Sequence, residues 1–212
     1  MGRAVIHTEQ ALLDAAISLF ATGGSRAVTM TAVARAVGAP SGSVYHRFPD
    51  RGSLLAAVWL RTSRAFEAEF ATVIGESPTP AAAVGAAVWV VETCQRQPER
   101  AAVLNAGPQA FNPETWPRAA VDELEVQQAR RDAAMATLIN EVATAADVPR
   151  DEAAFAMFGL PLAIVGQHLR VPEPVPASAS DLVRRLASRL LGQVADRQPR
   201  SRSRVGMSSD PS

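Results

Sequence analysis

The chain has 212 residues, and its 21 basic side chains are balanced by 21 acidic ones, so the formal net charge is zero. All the basic side chains are arginines, and the single cysteine, Cys94, excludes an internal disulfide and a cysteine-based metal cluster. The N-terminus lacks the apolar run of a signal peptide, and the most apolar stretch, 81–91, is too short to span a membrane. We therefore expect a cytoplasmic protein.

Helical spacing of apolar residues dominates the chain, and no stretch alternates apolar and polar residues as a half-buried strand would. The sequence also contains 41 alanines, and alanine is the best helix former. The pattern predicts an all-α protein.

Three short helices are predicted before residue 48, at 8–22, 30–37 and 41–47. Gly23 and Gly24 would end the first helix, because glycine accepts the left-handed conformation of a helix end. Thr29 is the expected N-cap of the second helix, Gly38 its stop, and Pro40 the entrance to the third. Short helices joined by such a tight turn predict a helix-turn-helix module, which places its second helix in the DNA major groove.

A long fourth helix is predicted to open at Pro49-Asp50 and to reach Ile74. The segment 76–80 then breaks the helical pattern. Five further helices are expected, at 80–96, 98–111, 113–146, 150–170 and 180–195; because of Pro117, a start near Trp116 is the alternative for the third of them. Pro161 should kink the eighth helix, because proline removes a backbone donor.

These elements divide the chain into two domains and a tail. The first domain is expected at 1–50 and the second at 51–196, with the long helix 51–74 linking the two. Residues 197–212 are rich in arginine and serine, and little in them could be buried, so we expect a disordered tail.

The predicted third helix has side chains suited to DNA. The candidate DNA-contacting residues on it are Ser41, Gly42, Ser43, Tyr45, His46 and Arg47. Small residues at its start would let the helix N-terminus approach phosphate closely, and the later side chains can bond phosphates or base edges. Val44 and Phe48, four residues apart, would anchor the helix to the core.

A string of residues in this region is specific in its order and spacing: Ala15, Ala16, Leu19, Phe20, Gly23, Thr29, Val33, Ala34, Gly38, Gly42, Val44, Tyr45, Phe48, Arg51, Leu54 and Leu55. Residues 11–55 thereby resemble the N-terminal domain of the TetR (tetracycline-repressor) family of bacterial transcription regulators. The resemblance implies a homodimer that binds double-stranded operator DNA. It also implies a C-terminal domain for ligand binding and dimerisation, and a repressor released from DNA by a small-molecule effector.

The resemblance implies roles for further residues. Thr29 and Thr31 occupy positions where the family contacts phosphates, and Arg51 stands at its usual lysine position, where a phosphate contact is typical. Three positions depart from the pattern: Arg47 replaces a common histidine, Val33 replaces a usual isoleucine, and Gly52 replaces a frequent acidic residue and weakens the start of the fourth helix by about 1 kcal/mol.

The predicted C-terminal domain offers candidates for a ligand pocket and a dimer interface. The pocket candidates are large, soft or polar side chains: Trp89, Cys94, Gln109, Phe111, Trp116, Met135, Phe155, Phe158 and His168. Ordinary core packing is the more frequent role of such apolar residues. The dimer candidates lie on the last two helices: Leu162, Val165, Leu169, Leu182, Leu186 and Leu190.

Two other function classes compete with a regulator. An all-helical enzyme would need a catalytic triad, a phosphate loop or a metal motif, and none occurs at motif spacing; the three histidines are isolated, so no metal and no cofactor is predicted. A helix-turn-helix DNA-binding protein without an effector remains open, and it would pack its C-terminal domain solidly.

The zero net charge hides a partition. Residues 1–64 hold seven arginines and three acids, a net of +4, whereas residues 65–196 have a net of −7 and the tail has +3. A basic first domain is the electrostatic footprint of nucleic-acid binding. When bound to DNA, the protein would associate with the bacterial nucleoid.

Overall fold

The computed structural model describes residues 8–169 and 174–192, so the predicted tail at 197–212 lies outside the described residues. Within these ranges the chain forms nine α-helices and no strand, as the helical periodicity predicts. The helices are α1 (Glu9–Ala27), α2 (Met30–Val37), α3 (Ser41–Arg47), α4 (Arg51–Ile74), α5 (Pro80–Arg96), α6 (Pro98–Ala106), α7 (Arg118–Ala146), α8 (Arg150–Leu169) and α9 (Ser178–Leu190).

Local capping signals fix most of the N-terminal helix ends. The Thr29 hydroxyl accepts a hydrogen bond from the Ala32 N–H at 3.1 Å, and Gly38 ends α2 with φ 70°, which confirms both predictions. Asp50 caps α4 by accepting from the Ser53 N–H at 2.7 Å and from the Ser53 hydroxyl. These bonds favour the carboxylate and lower the pKa of Asp50.

The glycine pair ends the regular part of α1, as predicted. Gly24 has φ 64° and ψ −167°, which lies outside the helical region, and the helical turn after it that reaches Ala27 is separated from the rest of α1 by this kink.

The side chains form two apolar cores. The first joins α1, α2 and α3 to the first part of α4, and it includes Phe111, Trp116 and Leu124 from the C-terminal half. The second joins α5 to the end of α7, α8 and α9. Because α4 runs from the first core into the second, where Ile74 is buried, it is the rigid link between them.

The chain between α6 and α7 differs from the prediction of one helix over 98–111. The helix α6 ends at Ala106, and Gly107 turns the chain with φ 72°. Two short 3₁₀ turns follow, at Pro108–Phe111 and Pro113–Thr115, before α7 starts at Arg118. Gly107 followed by proline is a strong helix stop, since proline has no N–H with which to continue the helix.

The helix α8 contains a π-type turn at Phe155–Gly159, where the Leu160 N–H donates to the carbonyl of Phe155. The predicted disturbance by Pro161 takes this form, because Pro161 has no N–H for the carbonyl of Met157. By length and composition α8 is the one helix of the described ranges that could cross a membrane, and a third of its apolar window is buried within the protein.

Candidate nucleic-acid interface

The helix α3 divides cleanly into a buried and an exposed face. Val44 and Phe48 are buried in the first core, as their spacing of four predicts. The exposed residues of α3 are Ser41, Gly42, Tyr45, His46 and Arg47, whereas Ser43 is half-buried. Tyr45 leaves 54% of its surface exposed, which is unusual for an aromatic side chain. The outward face thus combines a hydroxyl, an aromatic ring, an imidazole and a guanidinium.

The start of α2 adds two hydroxyl groups to the same end of the domain. Thr29 and Thr31 are both exposed. The Thr29 oxygen accepts from the Ala32 N–H, so its hydroxyl hydrogen is left to donate to a partner outside the helix. Ala39 closes the turn between α2 and α3 by donating its N–H to the carbonyl of Ala34 at 2.8 Å. This bond satisfies a carbonyl at the end of α2 where the chain turns towards α3.

Arg51 is half-buried and bonds to the backbone of its own domain. Its Nε donates to the carbonyl of Val28 at 2.8 Å, and its Nη2 donates to the carbonyl of Ser25. The side chain therefore ties the start of α4 to the segment that precedes α2. The phosphate contact that the family resemblance implies for Arg51 stays a prediction beside this positioning role.

The neighbouring Gly52 is buried against the C-terminal half of the chain. A Cβ atom at this position would overlap the carbonyl oxygen of Thr115. The sequence alone indicated only a weak helix start at Gly52. The structure supplies the reason for the glycine: the backbone of the second 3₁₀ turn touches α4 there.

Residues 12–58 match the family model described as bacterial regulatory proteins, tetR family. Over this range the chain is similar to the N-terminal domain of TetR-family regulators. The matched range covers α1 from Leu12 onwards, α2, α3 and the first turns of α4, and it contains the exposed face of α3.

Solved structures share the fold over nearly the whole chain. A TetR-like transcriptional regulator from Rhodococcus sp. RHA1 is 21% identical, with a TM-score of 0.63, and the match covers 91% of this chain and 98% of that one. The ketosteroid transcriptional regulator KstR2 of Mycobacterium tuberculosis is 17% identical, with a TM-score of 0.63 over 87% of this chain and 93% of that one. PfmR, a TetR-family transcriptional regulator from Thermus thermophilus, is 17% identical, with a TM-score of 0.63 over 87% of this chain and 99% of that one. No curated sequence matches the chain significantly.

In the C-terminal half of this TetR-type fold, four aromatic rings form a half-buried cluster. Phe66 and Phe70 of α4 lie 5.2 and 6.1 Å from Trp89 of α5, and Phe70 lies 5.7 Å from Phe158 of α8, measured between ring centroids. Two of the predicted pocket residues, Trp89 and Phe158, are thus brought together. Sequence reasoning missed Phe66 and Phe70, although their helical spacing put them on one face of α4.

The other predicted pocket residues lie elsewhere. Phe111 and Trp116 are buried in the first core, because the turn at Gly107 carries them towards α1. Gln109 is exposed, Met135 and His168 are half-buried, and Phe155 is 50% exposed. Cys94 is buried in the second core, and burial raises the pKa of its thiol to about 11. Among the described residues, no group of three metal-binding side chains is assembled.

Polar contacts join α1 to the C-terminal half beside a cleft of about 780 Å³. The Ser18 hydroxyl donates to Glu99 Oε2 at 2.8 Å, and Arg61 Nη2 lies 2.7 Å from Asp14 Oδ1. Since Ser18 belongs to the DNA-binding domain and Glu99 to α6, this cleft is bounded by both halves of the TetR-type fold.

The predicted dimer residues differ in exposure. Leu162 is 58% exposed and Leu182 is exposed as well, whereas Leu169, Leu186 and Leu190 are half-buried. Val165 is buried within its own protomer and packs in the second core.

Proposed function

We propose that the protein is a transcriptional repressor that binds operator DNA as a homodimer and releases it when a small molecule occupies the C-terminal half. The observation that carries this proposal is the exposed polar face of α3, on a helix whose apolar face anchors it to the domain. A helix presented in this way fits the major groove.

Different residues would contact base edges and phosphates. Tyr45, His46 and Arg47 of α3 reach base edges and phosphates, since they are exposed and carry hydrogen-bond donors. Thr29 and Thr31 donate to phosphates from the start of α2. Ser41 and Gly42 allow the backbone of α3 to approach the phosphates closely.

The homodimer follows from an apolar surface on the last two helices. Phe155 and Leu162 of α8 and Leu182 of α9 are large apolar side chains that stay exposed in the single protomer. Large apolar side chains grouped on a surface favour burial against a second copy. A two-fold dimer would place its two α3 helices about 34–36 Å apart for successive major grooves.

Release would act through α4, which belongs to both cores. A ligand that shifts α4 in the C-terminal half also shifts the domain that holds α3. A small rotation changes the separation of the two α3 helices and lowers operator affinity. As a cytoplasmic regulator, the protein would reside on the nucleoid while bound to DNA.

The test is a gel shift with the DNA immediately upstream of the protein's own gene. We expect specific retardation by a dimer, and Tyr45→Ala should weaken it at least about tenfold. Arg47→Ala should lower the salt dependence of binding by about one counterion.

The matched control is Arg130→Ala, which removes an exposed arginine from α7 and should leave DNA binding unchanged. If Arg47→Ala and Arg130→Ala lower the affinity for DNA equally, the result would contradict the proposed contacts of α3 with DNA. Indifference of the operator complex to every ligand that occupies the C-terminal half would overturn effector control.

A further inference from the structure

A polar cluster lies between α4 and α7, next to the aromatic cluster. The Gln127 side-chain amide donates to the Ser63 hydroxyl at 2.8 Å and to Glu67 Oε2 at 3.2 Å. Ser63 is 4% exposed. Glu67 and Gln127 are therefore held in place by each other and by a buried hydroxyl.

Two acceptor atoms in this cluster lack donors. Glu67 Oε1 and Gln127 Oε1 are buried, and no hydrogen-bond donor among the described residues reaches either of them. A buried acceptor without a donor costs free energy, and native proteins rarely leave one unexplained. Because both atoms are acceptors and one of them belongs to a carboxylate, the chemistry that would satisfy them is a donor with positive charge.

The neighbouring Arg131 does not supply that bond. Arg131 Nη1 is 3.9 Å from Glu67 Oε1, beyond hydrogen-bond distance, and the same guanidinium reaches Asp132 at 3.3 Å. Arg131 therefore covers Glu67 loosely and has a second carboxylate to which it can turn. Glu67, Arg131 and Asp132 together carry a net charge of −1, and the adjacent Arg64–Glu123 ion pair is neutral. The cluster thus favours a cation over an anion.

One ring of the aromatic cluster lies beside this carboxylate. Phe70 follows Glu67 by three residues in α4, which places these two side chains next to each other on the helix surface, and the ring of Phe66 packs against the ring of Phe70. Trp89 and Phe158 complete the cluster, and all four rings are only half-buried. Aromatic faces attract cations and stack on flat apolar groups.

We infer that the effector is an organic cation: a protonated amine on an aromatic or other flat apolar body. The inference rests on the proposed function, since it assigns the chemistry of that effector. The ammonium donates to Glu67 Oε1 and Gln127 Oε1 as Arg131 turns to Asp132, and the body packs against Phe66, Phe70, Trp89 and Phe158.

The test is calorimetric titration of the full chain with three probes that share one body. The probes are 2-naphthylmethylamine as the cation, 2-naphthylmethanol as the neutral analogue and 2-naphthoate as the anion. We expect the amine to bind at least about tenfold more tightly than the carboxylate. Equal or tighter binding of the carboxylate, or no binding of the amine at millimolar concentration, would overturn the inference.

Two variants test separately how the charge of the probe and its aromatic body contribute to binding. Glu67→Gln should weaken amine binding at least about tenfold and change alcohol binding less than about twofold, whereas Trp89→Leu should weaken all three probes. The matched control is Glu141→Gln, which neutralises an exposed carboxylate further along α7 and should change nothing. An unchanged amine affinity in Glu67→Gln contradicts the inference.

Arg131→Ala gives a second readout if Glu67→Gln proves unstable. Removing the competing cation should strengthen amine binding several-fold, and a loss of amine binding would contradict the inference. The gel shift with operator DNA is scored separately. A chain that retards DNA but ignores the amine overturns only the effector chemistry, and a chain that binds the amine but not DNA overturns the proposed function.

Discussion

The ring of Phe111 stacks on the ring of Phe20, with centroids 4.2 Å apart and ring planes 14° from parallel. Phe20 belongs to α1 of the DNA-binding domain, whereas Phe111 ends the 3₁₀ turn that follows α6. Trp59 of α4 lies 5.7 Å from the same ring, and the Trp116 indole N–H donates to the carbonyl of Phe111 at 2.8 Å. A side chain of the C-terminal half is thus part of the core that supports α3.

We expect Phe111→Ala to lower the free energy of unfolding by about 3–5 kcal/mol, because it empties a fully buried site between two aromatic rings. Urea denaturation followed by circular dichroism measures the loss. Val126→Ala is the control, since Val126 is half exposed on α7 and its truncation should cost less than about 0.5 kcal/mol. Similar losses for the two variants would contradict the role of Phe111 in the first core.

Replacing each of two helical glycines by alanine should change the stability of the protein in opposite directions. Gly52→Ala should destabilise the protein, because the new Cβ meets the Thr115 carbonyl and the backbone must move. Gly85→Ala should stabilise it by about 0.5–1 kcal/mol, since nothing lies within 4 Å of the added atom in α5. Thermal unfolding of both variants checks the pair, and a stabilised Gly52→Ala would mean that the 3₁₀ turn does not touch α4.

Leu162→Glu should weaken the proposed homodimer at least about tenfold, because a charge would be buried in the contact between copies. Sedimentation equilibrium measures the dissociation constant. Val126→Glu adds the same charge at another half-exposed site and should leave the dimer intact. A dimer that tolerates Leu162→Glu would place the contact elsewhere than on the exposed face of α8.

Cys94 should resist alkylation in the folded protein. Burial raises the pKa of its thiol from 9.0 to about 11, so at about pH 8 the thiolate fraction falls roughly a hundredfold. Mass spectrometry after iodoacetamide treatment should detect slow labelling of the native chain and rapid labelling in concentrated urea. Equal rates would contradict the burial of Cys94.

The same pKa shift makes the stability of the folded protein depend on pH. Since the folded pKa is the higher one, the contribution of Cys94 is fully present below pH 9.0 and is lost as the pH rises to about 11. Cys94→Ser should therefore flatten the decline in stability across this range, measured by urea denaturation at successive pH values.

Features that depend on near neighbours along the chain follow directly from the amino-acid sequence. The cap at Thr29, the stop at Gly38 and the buried pair Val44 and Phe48 each involve residues within about four positions, so their local pattern is sufficient. The same periodicity places the polar side chains of α3 on its exposed face.

Which distant side chains contact each other depends on how the helices pack, and the sequence pattern does not show this. Phe111 and Trp89 have the same apolar character in the sequence, yet one is buried against Phe20 and the other packs with Phe70. The contact between Gln127 and Glu67 depends on the packing of α7 against α4, 60 residues away along the chain. Apolar burial is non-directional, so a sequence pattern selects the residues that are buried, while helix packing selects their partners.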